Sequence, residues 1–323
     1  MINAIVAATP GGPEVLAPAE IEMPEPRPGQ LLVRVAATGV NFIETYQRQG
    51  LYKVQFPFTP GAEAAGVVTA LGPGAEEAGY AVGDRVATAE GRATYAQYTL
   101  IDADKALPVP EGVDLLTAAA LPLQGMTAHY LVTSTFHIEP GQSALVHAGA
   151  GGVGLLLIQM LKARGARVIT TVSTDAKAEL AAAAGADHVI QYHDFPAQVR
   201  DLTSGAGVDV VYDGVGRDTF DGSLECLRLR GMLVLFGAAS GPVPPVDVQR
   251  LNAGGSLFLT RPTIAHHLLN AAERRWRSSE VFGAVADGTL NVRIGAQFPL
   301  WEAAAAHTAL EGRATTGKVL LVP

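Results

Sequence analysis

The run Gly149-Ala150-Gly151-Gly152-Val153-Gly154 constrains this chain more than any other segment. It follows Ala144-Leu145-Val146-His147-Ala148, which reads as a strand, and it opens residues 152–164, which read as a helix. Glycines at this spacing allow a tight strand-to-helix turn and let the backbone approach a pyrophosphate without Cβ atoms in the way. The helix start adds unpaired N–H groups and the positive end of the helix dipole. A glycine-rich turn that simply packs a helix closely on a sheet is the plainer alternative. The strand before, the helix after and the βα units that follow favour a dinucleotide cradle, with Ala150, Gly151, Gly152 and Val153 as candidate contacts.

Strands and helices alternate downstream. Apolar stretches at 167–172, 188–191, 208–213, 232–237 and 257–260 read as strands, and 176–184 reads as a helix closed by Gly185, a residue suited to a left-handed cap. Repeated βα units imply a doubly wound parallel sheet, so residues 124–265 are predicted to form a Rossmann-type domain. Upstream the pattern differs. Strand-like stretches at 31–35, 66–70 and 95–99 are separated by the turn signals Pro28-Gly29, Gly72-Pro73-Gly74 and Gly83-Asp84. Residues 1–123 therefore read as a small barrel-like, β-rich domain. A helical stretch at 301–310 and an apolar strand at 318–322 lie in the tail, and residues 266–323 are expected to return to the N-terminal domain. The predicted class is α/β, a doubly wound parallel sheet plus a β-rich domain.

Composition narrows the function classes. With 323 residues, 48% hydrophobic and 17% charged, the chain has apolar surface enough for two packed domains, and disorder is not expected. A net charge of −8 without a basic stripe argues against a nucleic-acid partner. The longest apolar runs, such as 153–158, fall far short of the ~18 residues that span a bilayer. The N-terminus has no basic region followed by an apolar one, and it reads as a first strand and turn rather than a signal peptide. The single cysteine, Cys226, sits in an apolar, helix-like stretch and reads as a buried structural thiol. It forms no internal disulfide, in keeping with a reducing, cytoplasmic setting.

An NAD-binding domain carries Asp or Glu at the end of its second strand, roughly 20 residues beyond the glycine motif, to hold the ribose 2′-hydroxyl. Here that strand is followed by Ser173, with Lys177 shortly after. A cation there favours the 2′-phosphate of NADP(H). Two alternatives stay open: Lys177 as a solvated lysine in a first helical turn, and Asp175 as a ribose ligand. Zinc sites need clustered Cys, His or carboxylates. One cysteine excludes a four-cysteine site, the eight histidines are scattered, and the side chains of adjacent His266 and His267 diverge, so no metal is expected. The segment 39–52 places Asn41, Tyr46 and Tyr52 just after a strand, where functional loops lie. Partly buried, hydrogen-bonded tyrosines are an equal account of the last two.

The run 141–154, with Gln159 and Lys162, resembles the signature of zeta-crystallin-type quinone oxidoreductases of the medium-chain dehydrogenase/reductase superfamily. The resemblance covers essentially the whole chain, through Gly11-Gly12-Pro13-Glu14-Val15-Leu16, Gly39-Val40-Asn41-Phe42-Ile43, Val211-Tyr212-Asp213-Gly214-Val215-Gly216 and Arg313-Ala314-Thr315. It implies a GroES-like catalytic domain and a Rossmann domain with NADPH in the cleft between them. It implies that Ser173, Lys177, Tyr192 and Arg313 surround the 2′-phosphate, and that Asn41 and Thr127 hold the nicotinamide ribose side. Phe236, Gly237 and Ser240, with Phe258, Leu259 and Thr260, fall at strand ends that line the cofactor. Zinc-dependent members carry Cys near the position of Asn41 and His in a Gly-His-Glu motif where this chain has Gly61-Ala62-Glu63. Asp175 departs from the pattern by setting a negative charge beside Lys177.

Without zinc ligands to polarise a simple carbonyl, a conjugated acceptor is the easier substrate, because charge spreads over a delocalised oxyanion or enolate. Positioning and a few hydrogen-bond donors then suffice. Asn41, Tyr46 and Tyr52 are the candidate donors, with Tyr52 or solvent giving the proton. The expected function is an NADPH-dependent quinone reductase. A 2-alkenal or enone reductase is the alternative enzyme, and an NADPH-binding structural or RNA-binding protein is the alternative of another class. Residues 256–260 carry no Lys or Pro to block edge pairing, and a homodimer through this strand is expected.

Overall fold

The computed structural model describes residues 1–323, which divide into two compact units, Met1–Met126 with Leu268–Pro323, and Thr127–His267. The first unit opens with a hairpin of β1 (Ile2–Ala7) and β2 (Leu16–Ile21). The long strand β3 (Gln30–Val40) leads into helix α1 (Phe42–Arg48), followed by β4 (Ala64–Leu71), β5 (Arg85–Thr88), β6 (Tyr98–Asp102) and the short β7 (Leu107–Pro108). Helix α2 (Leu115–Ala120) follows, and α3 (Pro122–Tyr130) carries the chain across the division after Met126. Register shifts at Leu32/Val33 and Val35/Ala37 bend β3 against β4. Such bulges let one strand serve different neighbours along its length: its first half pairs with β6 and its last residues with the C-terminal strand.

The second unit is a single parallel sheet with helices between its strands. In chain order these are β8 (Ser143–Val146), α4 (Gly152–Ala163), β9 (Arg167–Val172), α5 (Asp175–Ala183), β10 (His188–Gln191) and α6 (Phe195–Leu202). There follow β11 (Val208–Asp213), α7 (Phe220–Glu225), β12 (Leu227–Leu235), α8 (Gln249–Ala253) and β13 (Phe258–Thr260). The spatial order β10-β9-β8-β11-β12-β13 is that of a doubly wound Rossmann sheet. Strands covered on both faces need apolar residues in unbroken runs, and Leu145, Val168, Ile169, Val210, Val211, Leu233 and Val234 are all fully buried. The order reverses between β8 and β11, and ligands bind at such switch points, beyond the strands' carboxyl ends.

The chain closes with α9 (Ala271–Ala286), β14 (Ile294–Pro299), α10 (Ala303–Glu311) and β15 (Lys318–Val322). β15 lies antiparallel to β3, with Val319 opposite Val40, and parallel to β14. No helix is long and apolar enough to cross a membrane.

The expectations shift locally, and the strand expected at 232–237 runs instead from Leu227 to Leu235 as β12. The strand expected at 144–148 stops at Val146, because Ala148 turns to φ 55° to feed the glycine loop. The strand expected at 95–99 begins at Tyr98, since the Tyr95 carbonyl instead accepts the Ile5 N–H. The helix expected at 301–310 begins as a 3-10 turn, Leu300–Glu302, before α10.

Candidate functional site

In the second unit the sheet's carboxyl ends meet at the glycine loop. The Ala148 carbonyl accepts the Gly151 N–H at 2.9 Å and so closes the turn. A Cβ at Gly149 would lie 2.1 Å from Thr170 Oγ1, and one at Gly154 would lie 2.3 Å from the Ala148 carbonyl oxygen. These two glycines therefore serve the close approach of the loop to β9 and of α4 to the turn that follows β8. At Gly151 an added Cβ would meet only that carbonyl oxygen, at 3.1 Å. Gly151 is the N-cap of α4, so the N–H groups of Gly152 and Val153 have no acceptor within the helix. A cradle of backbone donors at a helix N-terminus fits a pyrophosphate. Ala150 is buried beside it.

At the end of β9, Thr174 caps α5 by accepting the Lys177 N–H, and Lys177 Nζ reaches back to Ser173 Oγ at 3.3 Å. Asp175 stands exposed in the first turn, where a carboxylate complements the helix dipole. Tyr192, one residue past β10, accepts the Ala148 N–H on its hydroxyl at 3.0 Å. Ser173, Lys177 and Tyr192 thus stand at neighbouring strand ends. After β12, the Phe236 N–H donates to the Asp213 carbonyl at 2.9 Å, and a Cβ at Gly237 would lie 2.5 Å from the Gly214 carbonyl oxygen. Ser240 Oγ donates to the Val215 carbonyl at 2.8 Å and accepts the Asp218 N–H at 3.0 Å. On β13, Leu259 and Thr260 are half-buried while Phe258 is 55% exposed. Thr127, at the start of this unit, is buried.

In the first unit Asn41 joins β3 to α1 as its N-cap, and its backbone N–H donates to Glu44 Oε2 at 2.8 Å. Its side-chain Nδ2 donates to Glu63 Oε2 at 2.9 Å, and its Oδ1 accepts from Lys318 Nζ at 2.7 Å. Lys318 also donates to Glu63 Oε2, while Glu63 Oε1 accepts the Leu123 N–H at 2.8 Å. All four side chains are buried. Burial pushes the Glu44 carboxyl up to about 8 against the opposing pull of Lys318 and the Asn41 N–H, and the Glu63 charge raises it further. Glu44 Oε1 has no hydrogen-bond partner, which a neutral carboxyl tolerates far better than an ionised one. Along α1 and the following turn, the Tyr46 ring lies 6.3 Å from Phe42 and 5.5 Å from Tyr52, which is 46% exposed. Arg313 is exposed just past α10, at φ 56°.

No three His, Cys, Asp or Glu side chains come together in a way that suits a metal ion. At Asn41 the chemistry opposes one: the amide is committed to Glu63 and Lys318, Ala62 offers no ligand, and an ammonium already supplies the positive charge beside the carboxylate. Sequence reasoning missed Glu44, Glu63 and Lys318 as partners of Asn41, and His147 and Asp213 in the second unit. A signal was present, since Asp213 and Lys318 each place a charge at the end of an apolar strand.

Comparison with known proteins agrees with this geometry. Residues 27–134 match the alcohol dehydrogenase GroES-like domain, and residues 152–281 match the zinc-binding dehydrogenase family. A 2-haloacrylate reductase from a Burkholderia species is 43% identical over 333 residues, covering 100% of this chain and 99% of its own length. Quinone oxidoreductase 1 of Escherichia coli strain K12 is 42% identical over 319 residues, 97% of each chain. Among solved structures, a mycobacterial protein complexed with NADPH aligns with a TM-score of 0.98 and 47% identity over the whole of both chains. The Escherichia coli quinone oxidoreductase complexed with NADPH aligns at 0.97 with 41% identity, over 99% of this chain and 100% of that one. Full-length identity at this level, on a Rossmann sheet with an open glycine cradle, means that this chain belongs to the quinone oxidoreductase family of the medium-chain dehydrogenase/reductase superfamily.

Proposed function

We propose that the protein is an NADPH-dependent quinone oxidoreductase that works without a metal. The observation that carries this reading is the Ser173–Lys177 contact at the end of β9, where an NAD-binding domain would place a ribose-binding carboxylate. When bound, NADPH supplies the reducing equivalent that the acceptor takes up. The N–H groups of Gly152 and Val153, with Ala150 and Gly151 beside them, hold the pyrophosphate. Lys177, Ser173 and Tyr192 hold the 2′-phosphate. Thr127 holds the nicotinamide ribose side, and Phe236, Gly237, Ser240, Phe258, Leu259 and Thr260 line the rest. Lys318 and Glu63 take the two ends of the Asn41 amide, so it cannot flip. Tyr46 and Tyr52 donate hydrogen bonds to the acceptor oxygen, and Tyr52, which is exposed, or solvent gives the proton.

A second reading is favoured by one observation: the Burkholderia relative at 43% identity is named a 2-haloacrylate reductase. Its named substrate is an activated alkene, as an enone acceptor would be. An acceptor screen that follows NADPH consumption separates the two, with a small quinone and an activated alkene compared on one preparation. Faster turnover of the quinone supports the first reading, and faster turnover of the alkene supports the second. Tight NADPH binding without turnover of any conjugated acceptor would leave a binding protein instead.

β13 pairs only with β12, its other edge is unpaired, and Phe258, Leu229 and Val248 are exposed apolar residues of the same unit. We read these as the contact of a two-fold homodimer in the cytoplasm.

A further inference from the structure

The dinucleotide-binding unit contains a buried polar chain with no part in the roles above. His147, between β8 and the Ala148 turn, is 1% exposed. Its Nδ1 lies 2.8 Å from Thr171 Oγ1, and its Nε2 lies 3.0 Å from Ser223 Oγ. The direction of each hydrogen bond follows from the far end. Asp213 is a carboxylate surrounded by donors: Val215 N–H, Gly216 N–H, Thr219 Oγ1 and Ser223 Oγ. Ser223 must therefore give its hydroxyl hydrogen to Asp213, at 2.9 Å. Its oxygen is left to accept from His147, so Nε2 carries the imidazole proton and Nδ1 accepts from Thr171. Burial holds the imidazole below the usual histidine range against the pull of Asp213, which keeps the ring neutral in that one tautomer. The chain runs from Thr171 through His147 and Ser223 to Asp213, and it ties together the ends of β9, β8 and β11.

The ring so fixed is itself a packing surface. Phe195 stands edge-on to it at 4.9 Å, and Tyr192 lies 14° from parallel at 6.1 Å. The Tyr192 hydroxyl accepts the N–H of Ala148, the residue held at φ 55° where an alanine is strained. Although Ser, His and Asp occur together, the carboxylate bonds the serine rather than the imidazole and all three are buried, so no nucleophile is presented.

We propose that His147 is a specificity-determining positioning residue: pinned by Thr171 and Ser223, its ring sets the plane of Tyr192 and preforms the unit for a dinucleotide bearing a 2′-phosphate. This rests on the NADPH reading above. The test uses the full-length protein and calorimetric titration with NADPH, NADH and adenosine 2′,5′-bisphosphate. His147→Phe keeps a ring but loses both hydrogen bonds. Thr171→Val and Ser223→Ala keep the histidine and remove one pin each, so they decide the question if His147→Phe folds poorly. Each variant is expected to raise the Kd for NADPH and for the bisphosphate roughly five- to thirtyfold, with NADH changed by less than about twofold. The loss should appear in KM for NADPH rather than in kcat, and combining His147→Phe with Tyr192→Ala should give less than the product of the two losses. Equal losses for NADPH and NADH, or unchanged NADPH binding in Thr171→Val and Ser223→Ala, would overturn the proposal. If the unsubstituted protein ignores the bisphosphate and binds NADH as tightly as NADPH, the cofactor reading itself fails, and that is seen before any variant is made.

Discussion

Lys318 Nζ lies 2.7 Å from Asn41 Oδ1, across a sequence separation of 277, and the same ammonium donates to Glu63. One cation thereby fixes the orientation of the amide and neutralises a buried carboxylate. Lys318→Met removes the cation and leaves the Glu63 charge without its partner, which should destabilise the protein by about 3–5 kcal/mol. Urea unfolding measures this. Adding Glu63→Gln should recover part of the loss, and a Lys318→Met protein as stable as the parent would show that the pair is no brace.

Glu44 makes stability depend on pH. Its folded carboxyl is pushed up to about 8 from 4.5. Between those values the unfolded chain ionises this group while the folded chain keeps it protonated. The folded state then binds more protons, so stability falls as pH rises through the window. Below 4.5 both states are protonated and above 8 both are ionised, so the contribution is constant there. Glu44→Gln keeps an acceptor for the Asn41 N–H and removes the titration. Its urea midpoint relative to the parent should rise from about pH 5 to about pH 8. An unchanged difference across that range would show that Glu44 does not titrate abnormally.

Lys177 is expected to discriminate between the cofactors. A hydrogen bond to a charged group is worth about 1.5–3 kcal/mol, so Lys177→Ala should weaken NADPH binding roughly ten- to a hundredfold and leave NADH nearly unchanged. Asp175→Asn tightens NADPH if the carboxylate repels the phosphate, and weakens NADH if it holds the ribose. Cofactor titration of these variants decides between the two. Equal losses of both cofactors in Lys177→Ala would remove the 2′-phosphate assignment.

The exposed edge of β13 predicts the assembly. Light scattering at micromolar concentration should return a dimer mass. Phe258→Lys should shift that mass toward the monomer, because a charge placed on an edge strand opposes pairing. A monomer mass for the unsubstituted protein would end this expectation.

The second unit's architecture is legible in its amino-acid pattern. Runs such as Arg167–Val172 and Val208–Asp213 fall as strands at the residues their apolar pattern marks, and Gly149 and Gly154 sit where only a hydrogen atom fits. This information is local: strand and helix periods and the volume of one side chain are written in neighbouring residues. That Ser173 and Lys177 stand near each other was legible for the same reason, since they are only four residues apart.

The partners of the buried charges depend on long-range packing. Asn41, Glu63 and Lys318 meet because β15 happens to lie beside the end of β3, and His147 meets Ser223 because α7 covers the sheet there. Nothing near Asn41 in the sequence announces Lys318, just as nothing near His147 announces Ser223. A buried charge or ring nitrogen must find a partner, but which one it finds depends on which strands and helices packing makes adjacent.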